Sequence, residues 1–269
     1  MSVHLDQVSF VHPNGFTAIS DFSLQVQTGE HIALIGPSGA GKTTLLSLMA
    51  CILQPTKGSL NVFGRHMAGV ENTALRGLRK RIACIYQHPP LPPRQRVITA
   101  VTAGRLAHWP VWKSLASLIY PMDISGASEV LKRVQLNEKI FNSCDQLSGG
   151  QLQRVGIARA LYQRSELILA DEPVSALDPG LALAMIQVLK QDALSRGATL
   201  ITSLHAVDLA LQCFDRIVGL RFGKIVFDLS AHQVTSELLS DLYANDSQTN
   251  HTSIKPASDF TGTVPVHLM

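Results

Sequence analysis

Apolar and polar residues alternate through Val3-His4-Leu5-Asp6-Gln7-Val8-Ser9-Phe10 and again across 18–26, with Pro13-Asn14-Gly15 between them. A period of two predicts half-buried strands, and the turn residues predict that they run antiparallel. The unbroken apolar run Ile32-Ala33-Leu34-Ile35 predicts a buried strand. The pattern then changes to Leu45-Leu46-Ser47-Leu48-Met49-Ala50, a helix expected to reach about Leu53 and to be stopped by Pro55. Another short strand is expected over 58–64, between two glycines.

From Leu75 to Arg81 four basic residues, Arg76, Arg79, Lys80 and Arg81, precede the strand 82–86, which ends at Gln87. Such a run reads first as a solvated helix face. Prolines 89, 90, 92 and 93 mark a junction, and 97–160 then reads as mostly helical, with helices over 128–136 and 151–162 and an aromatic interruption at Trp109-Pro110-Val111-Trp112. Strand and helix alternate afterwards: strand 167–171, helix 181–196, strand 199–203, helix 206–213. A hairpin of 217–220 and 224–227 turns at Gly223, and Thr235 is placed to cap a last helix to Tyr243. This alternation predicts an α/β fold built on a parallel sheet with helices on both faces. Beyond Ala244 the chain is polar and aperiodic, so 244–269 is expected to be a mobile tail.

Composition narrows the class only modestly. A formal net charge of +3 gives no argument for nucleic acid. Cys51, Cys84, Cys144 and Cys213 are scattered without metal-ligand spacing, which suits buried thiols in a reducing compartment. The first residues lack the basic segment and apolar core of a signal peptide, and no run is long enough to span a bilayer. A cytosolic chain is expected, so any membrane-spanning part belongs to another subunit.

The chemistry centres on Gly36-Pro37-Ser38-Gly39-Ala40-Gly41-Lys42-Thr43-Thr44, set between a strand and a helix. Glycines there let the backbone turn its N–H groups toward phosphate oxygens, Lys42 reaches the β- and γ-phosphates, and the Thr43 hydroxyl suits Mg²⁺. A Gly-rich turn with a surface lysine is the plainer alternative, but the flanking strand and helix speak against it. The strand 167–171 ends in two carboxylates, Asp171 to hold Mg²⁺ and Glu172 to act as general base on a water. Leu147-Ser148-Gly149-Gly150-Gln151 reads as an N-capped helix start, and the same bare N–H groups and hydroxyl make it a second anion site.

Taken in order, the phosphate loop, Gln87, Leu-Ser-Gly-Gly-Gln, Asp171-Glu172-Pro173, Ser175-Ala176-Leu177-Asp178 and His205 after a strand make residues 3–243 resemble the ATP-binding subunit of ABC transporters. The resemblance implies a P-loop NTPase fold with a RecA-like core, an N-terminal antiparallel β-subdomain and an inserted α-helical subdomain at about 89–160, the whole ATP-binding domain covering 1–243. It implies a head-to-tail homodimer with ATP and Mg²⁺ held between the phosphate loop of one copy and Ser148-Gly149-Gly150-Gln151 of the other. Gln87 would sense Mg²⁺ and the attacking water, Asp178 would communicate across the dimer, and His205 would contact the γ-phosphate and steady the water at Glu172. A lone histidine would otherwise read as a cap or a packed residue.

The segments 104–112, 204–210 and 215–224 further resemble the phosphonate-importer ATPase subfamily. That implies a peripheral subunit on the cytoplasmic face of a bacterial inner membrane. Its permease would receive phosphonate, or a related phosphorus oxyanion, from an extracytoplasmic binding protein. Several positions depart from the family pattern. His12 stands where an aromatic stacks on adenine, so the stacking is expected to be weaker or to fall to Phe10 or Phe16. Cys51 replaces a small glycine, Pro89-Pro90 a Phe-Asn pair, and Thr99-Ala100 a Glu-Asn pair. The competing reading is a nucleotide-dependent scaffold of a soluble phosphonate-degrading complex, or an importer ATPase for another small solute. A chromosome-structuring role is disfavoured because no long heptad insertion divides the site.

Overall fold

The structure is a computed structural model that describes residues 1–119 and 123–244. Two sheets form it. The first is antiparallel, with β1 (Val3–Val11), β2 (Thr17–Val26), β4 (Lys57–Val62) and β5 (Arg65–His66) in the order β2-β1-β4-β5. The second has six strands in the order β10-β9-β3-β8-β7-β6, namely β3 (His31–Ile35), β6 (Ile82–Ile85), β7 (Leu167–Asp171), β8 (Thr199–Ser203), β9 (Arg216–Arg221) and β10 (Lys224–Ser230). All its neighbours are parallel except the β9–β10 hairpin at the edge.

Side-chain alternation on the second sheet decides what covers each face. On β3, Ile32 and Leu34 join a core with the antiparallel sheet, with Leu45 and Leu48 of α1 (Lys42–Met49) and with Leu75 and Leu78 of α2 (Asn72–Lys80). Ala33 and Ile35 point into the other core, which is built largely of helices. One face is therefore shared by a sheet and two short helices, which amends the simpler expectation of helices on both faces.

Between β6 and β7 lie α3 (Val97–Thr102), α4 (Val111–Ile119), α5 (Ile124–Arg133) and α6 (Gly149–Gln163). The last runs unbroken past residue 160, where the helical subdomain is expected to end, and Gln163 Nε2 donates to the carbonyl of Ile82 in β6 at 2.8 Å. The aromatic interruption divides in role: Trp109 packs partly buried against the core, whereas Val111 opens α4 and, with Trp112 and Leu115, leaves an apolar stripe exposed. After β7 come α7 (Pro179–Arg196), α8 (Val207–Cys213) and α9 (Ser236–Tyr243), the last capped by Thr235 as its sequence suggests. The tail expected past Ala244 falls outside the described residues.

Two local expectations need correction. The helix predicted to reach Leu53 ends at Met49, because Cys51 takes a left-handed backbone with φ 58° and closes the turn before Pro55. The basic run is not simply a solvated face. Arg79 donates to the Cys51 carbonyl at 2.7 Å, satisfying an acceptor just past the end of α1, and Arg81 pairs with Glu166 at 2.6 Å while lying over the Phe63 ring.

The helical region is tied to the core by Asp192 of α7, which is buried and accepts from Arg133 of α5 at 2.8 Å and from Arg196 at 2.5 Å. Asp192→Ala removes the only acid in this trio and leaves two cations facing each other. Both arginines reach solvent, so the loss is expected below the full cost of breaking a buried pair, about 2 kcal/mol. Denaturant unfolding of the two proteins measures it.

Candidate nucleotide site

β3, buried on both faces, delivers the chain to Gly36 at the carboxyl edge of the parallel sheet. The backbone then passes through positive φ at Gly36, Gly39 and Gly41, with Ser38 and Gly39 exposed at the tip and α1 starting at Lys42. Lys42 is buried and donates from Nζ to the carbonyls of Gly36 at 2.7 Å and Pro37 at 3.0 Å. Its charge is thus held inside the curl of the loop, at the positive end of a helix, where an anion is stabilised. Thr43, one residue on, is exposed.

Two strands away β7 ends at Asp171, and β8 between them supplies a residue that the sequence pattern did not single out. Ser203 Oγ donates to Asp171 Oδ1 at 2.6 Å and accepts from the Glu172 N–H at 3.0 Å. That N–H also points to the Ser203 carbonyl at 3.2 Å. Glu172 itself has φ 47°, a conformation costing a side-chain-bearing residue about 1 kcal/mol and sustained by these bonds. Its carboxylate is mostly enclosed, and His205 Nε2 lies 2.5 Å from Oε1. One carboxylate oxygen, Oε1, is therefore anchored by the imidazole.

Glu172 and His205 share a cavity of about 830 Å³ with Gln87, Ser175, Asp208 and Leu209. Thr43 and Asp171 line a separate cavity of about 30 Å³ with Ser47, Cys84 and Tyr86, space for a single water. The fold thus brings the expected catalytic group together in one place and the hydroxyl and carboxylate expected at Mg²⁺ in another. Gln87 stands with the first set.

Ser148, Gly149 and Gln151 line neither cavity. Ser148 caps α6, its Oγ accepting from the Gln151 N–H at 3.3 Å while the Gln151 side chain accepts from the Ser148 N–H at 2.9 Å. Gly150 is needed for a close approach: a Cβ there would lie 2.8 Å from the Ala176 carbonyl oxygen. Asp178 caps α7 through the Leu181 N–H at 3.0 Å. Gln153, passed over in the sequence, links these parts. Buried on α6, its amide donates to the Gln87 carbonyl at 3.0 Å and to Ser175 Oγ at 2.9 Å, and its oxygen accepts from the Ala176 N–H. A polar residue on the buried side of a helix is the signal that would have found it.

At the β1–β2 turn the His12 ring meets Phe10 edge-on at 4.9 Å and stacks on Phe16 at 6.1 Å. Phe10 is buried and Phe16 exposed, so of the two phenylalanines Phe16 has the open face. Cys51 offers no competing chemistry, since burial pushes its thiol up to about 11.

The family profile described as "ABC transporter" matches residues 19–175, more than half of the chain. The chain belongs to the ABC transporter family. Among relatives in this family, the phosphonates import ATP-binding protein PhnC 2 of Pseudomonas aeruginosa is 55% identical over 259 residues, covering 96% of this chain and 97% of that one. PhnC 1 of Cupriavidus necator is 56% identical over 247 residues, covering 92% of this chain and 88% of that one. Among solved ABC cassettes, the dimeric post-hydrolysis structure of MJ0796 bound to ADP and Pi superposes with a TM-score of 0.75 at 28% identity, covering 85% of this chain and 98% of that one.

Proposed function

We propose that this chain is the ATP-hydrolysing subunit of an ABC importer for phosphonates, acting as a dimer beneath a membrane permease. The observation that carries the hydrolytic part is the meeting of Gln87, Glu172 and His205 in one cavity at the end of the sheet that bears the phosphate loop. The substrate class rests on the relatives, named as phosphonates import proteins at 55–56% identity over nearly the whole chain.

In this reading the N–H groups of 38–44 and the Lys42 ammonium hold the β- and γ-phosphates, and the His12–Phe16 pair receives the adenine. Thr43 and Asp171 contribute the hard oxygen donors that suit Mg²⁺, at a small space whose other walls include Leu46, Ala50, Ile52 and Leu169, and the ion when bound would offset phosphate charge. Glu172 orients the attacking water and takes its proton at the oxygen that His205 does not occupy. Gln87, whose carbonyl is tied to Gln153, reports the state of that cavity to α6. A second copy brings its Ser148-Gly149-Gly150-Gln151 turn onto the γ-phosphate, so ATP stabilises the closed dimer and its hydrolysis releases it. Asp178 lies exposed beside Ser175 and Ala176, suited to the contact between copies.

Among the described residues no helix is long and apolar enough to cross a membrane, so transport needs a spanning partner. The exposed stripe of Val111, Trp112 and Leu115 and the groove of about 280 Å³ lined by Pro89, Pro90, Leu91 and Gly156 offer it surfaces. Work at the cytoplasmic face of the inner membrane is the part of this reading that rests on the relatives, named as phosphonates import ATP-binding proteins.

The test is uptake of a labelled phosphonate by cells whose only copy is native or Glu172→Gln, scored before metabolism. Accumulation in native cells alone is expected. Equal accumulation in both would remove the phosphonate assignment and direct attention to another solute or to a soluble complex.

A further inference from the structure

We infer that Tyr243, on the last described helix, is a positioning residue for the phosphate loop, so that the C-terminal helix tunes nucleotide affinity. This rests on the reading of that loop as the nucleotide site. The contact joins residues 207 positions apart: the Gly36 N–H, at the first residue of the loop, donates to the Tyr243 hydroxyl at 3.1 Å.

The geometry around it is over-determined. Gly36 leaves β3 with φ 147° and presses so closely on β9 that a Cβ would lie 2.1 Å from the Leu220 carbonyl oxygen. One side of the residue is thus fixed by β9, and its N–H is fixed by α9. That helix is in turn held to the same edge. Leu242 is fully buried, Leu238 and Leu239 pack on the helical core, and Arg221, the last residue of β9, donates to the Asp241 carbonyl at 2.7 Å. A cation at the helix C-terminus is electrostatically favoured, so the turn that carries Tyr243 is pinned to the strand beside the loop.

The consequence for the loop follows from Lys42, whose ammonium is anchored on the carbonyl of this same Gly36. The Gly36 N–H lies in the peptide that enters this residue and the Lys42 acceptor in the peptide that leaves it, so the two are coupled through the one Gly36 Cα, where the loop begins. A hydroxyl holding that N–H therefore steadies the acceptor and acts on phosphate binding through the backbone, without touching nucleotide.

Tyr243→Phe in the full chain deletes the acceptor and keeps the ring. ATP and ADP dissociation constants and the KM for ATP are expected to rise about 3- to 10-fold, the range of one hydrogen bond, with kcat changed by less than about twofold. Thermal unfolding should stay within about 2 °C, and amide exchange should quicken at Gly36 without quickening along β3. If the native chain binds ATP and the variant binds it equally, Tyr243 does not position the loop and the proposed function is untouched. If affinity falls only together with melting temperature and with exchange throughout α9 and β9, the ring is structural packing and the inference fails. If the native chain binds no ATP, the nucleotide reading fails and takes this inference with it.

Discussion

Glu172→Gln should lower steady-state ATP hydrolysis by about 10²- to 10⁴-fold, while ATP binding changes by less than about threefold. The substitution preserves shape, the φ of 47° and the hydrogen bonds of the Glu172 N–H to Ser203, so the loop geometry has no reason to change. What it removes is the proposed proton acceptor. His205 lies against Oε1 in the native protein, and an amide in place of the carboxylate leaves a neutral group facing the water. Steady-state turnover with equilibrium binding measured on the same preparation separates the two effects. Retention of more than about a tenth of the native rate would show that another group takes the proton.

Gly36→Ala should destabilise the fold by about 2–4 kcal/mol and weaken ATP binding at least about 30-fold. The obstruction is a backbone carbonyl, Leu220 O at 2.1 Å from where the alanine methyl would sit, and no rotamer change relieves a backbone clash. Either β9 or the loop must shift, and the loop takes the Lys42 anchor with it. Gly39→Ala is the matched control. It also sits at positive φ, but nothing lies within 4 Å of its Cβ, so only the backbone preference of about 1 kcal/mol is lost. Denaturant unfolding and nucleotide titration of both variants check the contrast. Equal effects would mean that backbone conformation rather than the Leu220 contact governs the position.

Residues close in sequence were the readable ones. The phosphate loop, the Asp171-Glu172 pair and the Ser148 cap declare themselves within ten residues, because turn, helix start and strand end are local properties. Strand positions followed from alternation for the same reason. Ser203, Gln153 and Tyr243 were passed over because each acts through register or packing across the sheet: Ser203 matters only once β8 lies beside β7, and Tyr243 only once β9 brings α9 over Gly36. Cys51 shows the opposite failure. Pro55 offers an obvious stop, whereas α1 ends at Met49 and the turn after it is closed by a left-handed non-glycine residue with its carbonyl bonded to a distant arginine. Arg79 itself looked like surface charge until the fold placed that carbonyl within its reach.

The helix α6 joins three events along a single rigid body. Its first turn carries Ser148 to Gln151, its middle meets the Gln87 segment through Gln153 and through Gly156 against Pro89, and its last residue is bonded to β6. Fifteen residues at helical rise make a rod of about 22 Å. In the proposed cycle, with the β6 end as fulcrum, a tilt of about 10° would swing the Ser148 end by about 4 Å, more than any hydrogen bond to a phosphate tolerates. A push of under half that travel at Pro89, nearer the fulcrum, would suffice to engage or disengage the far end.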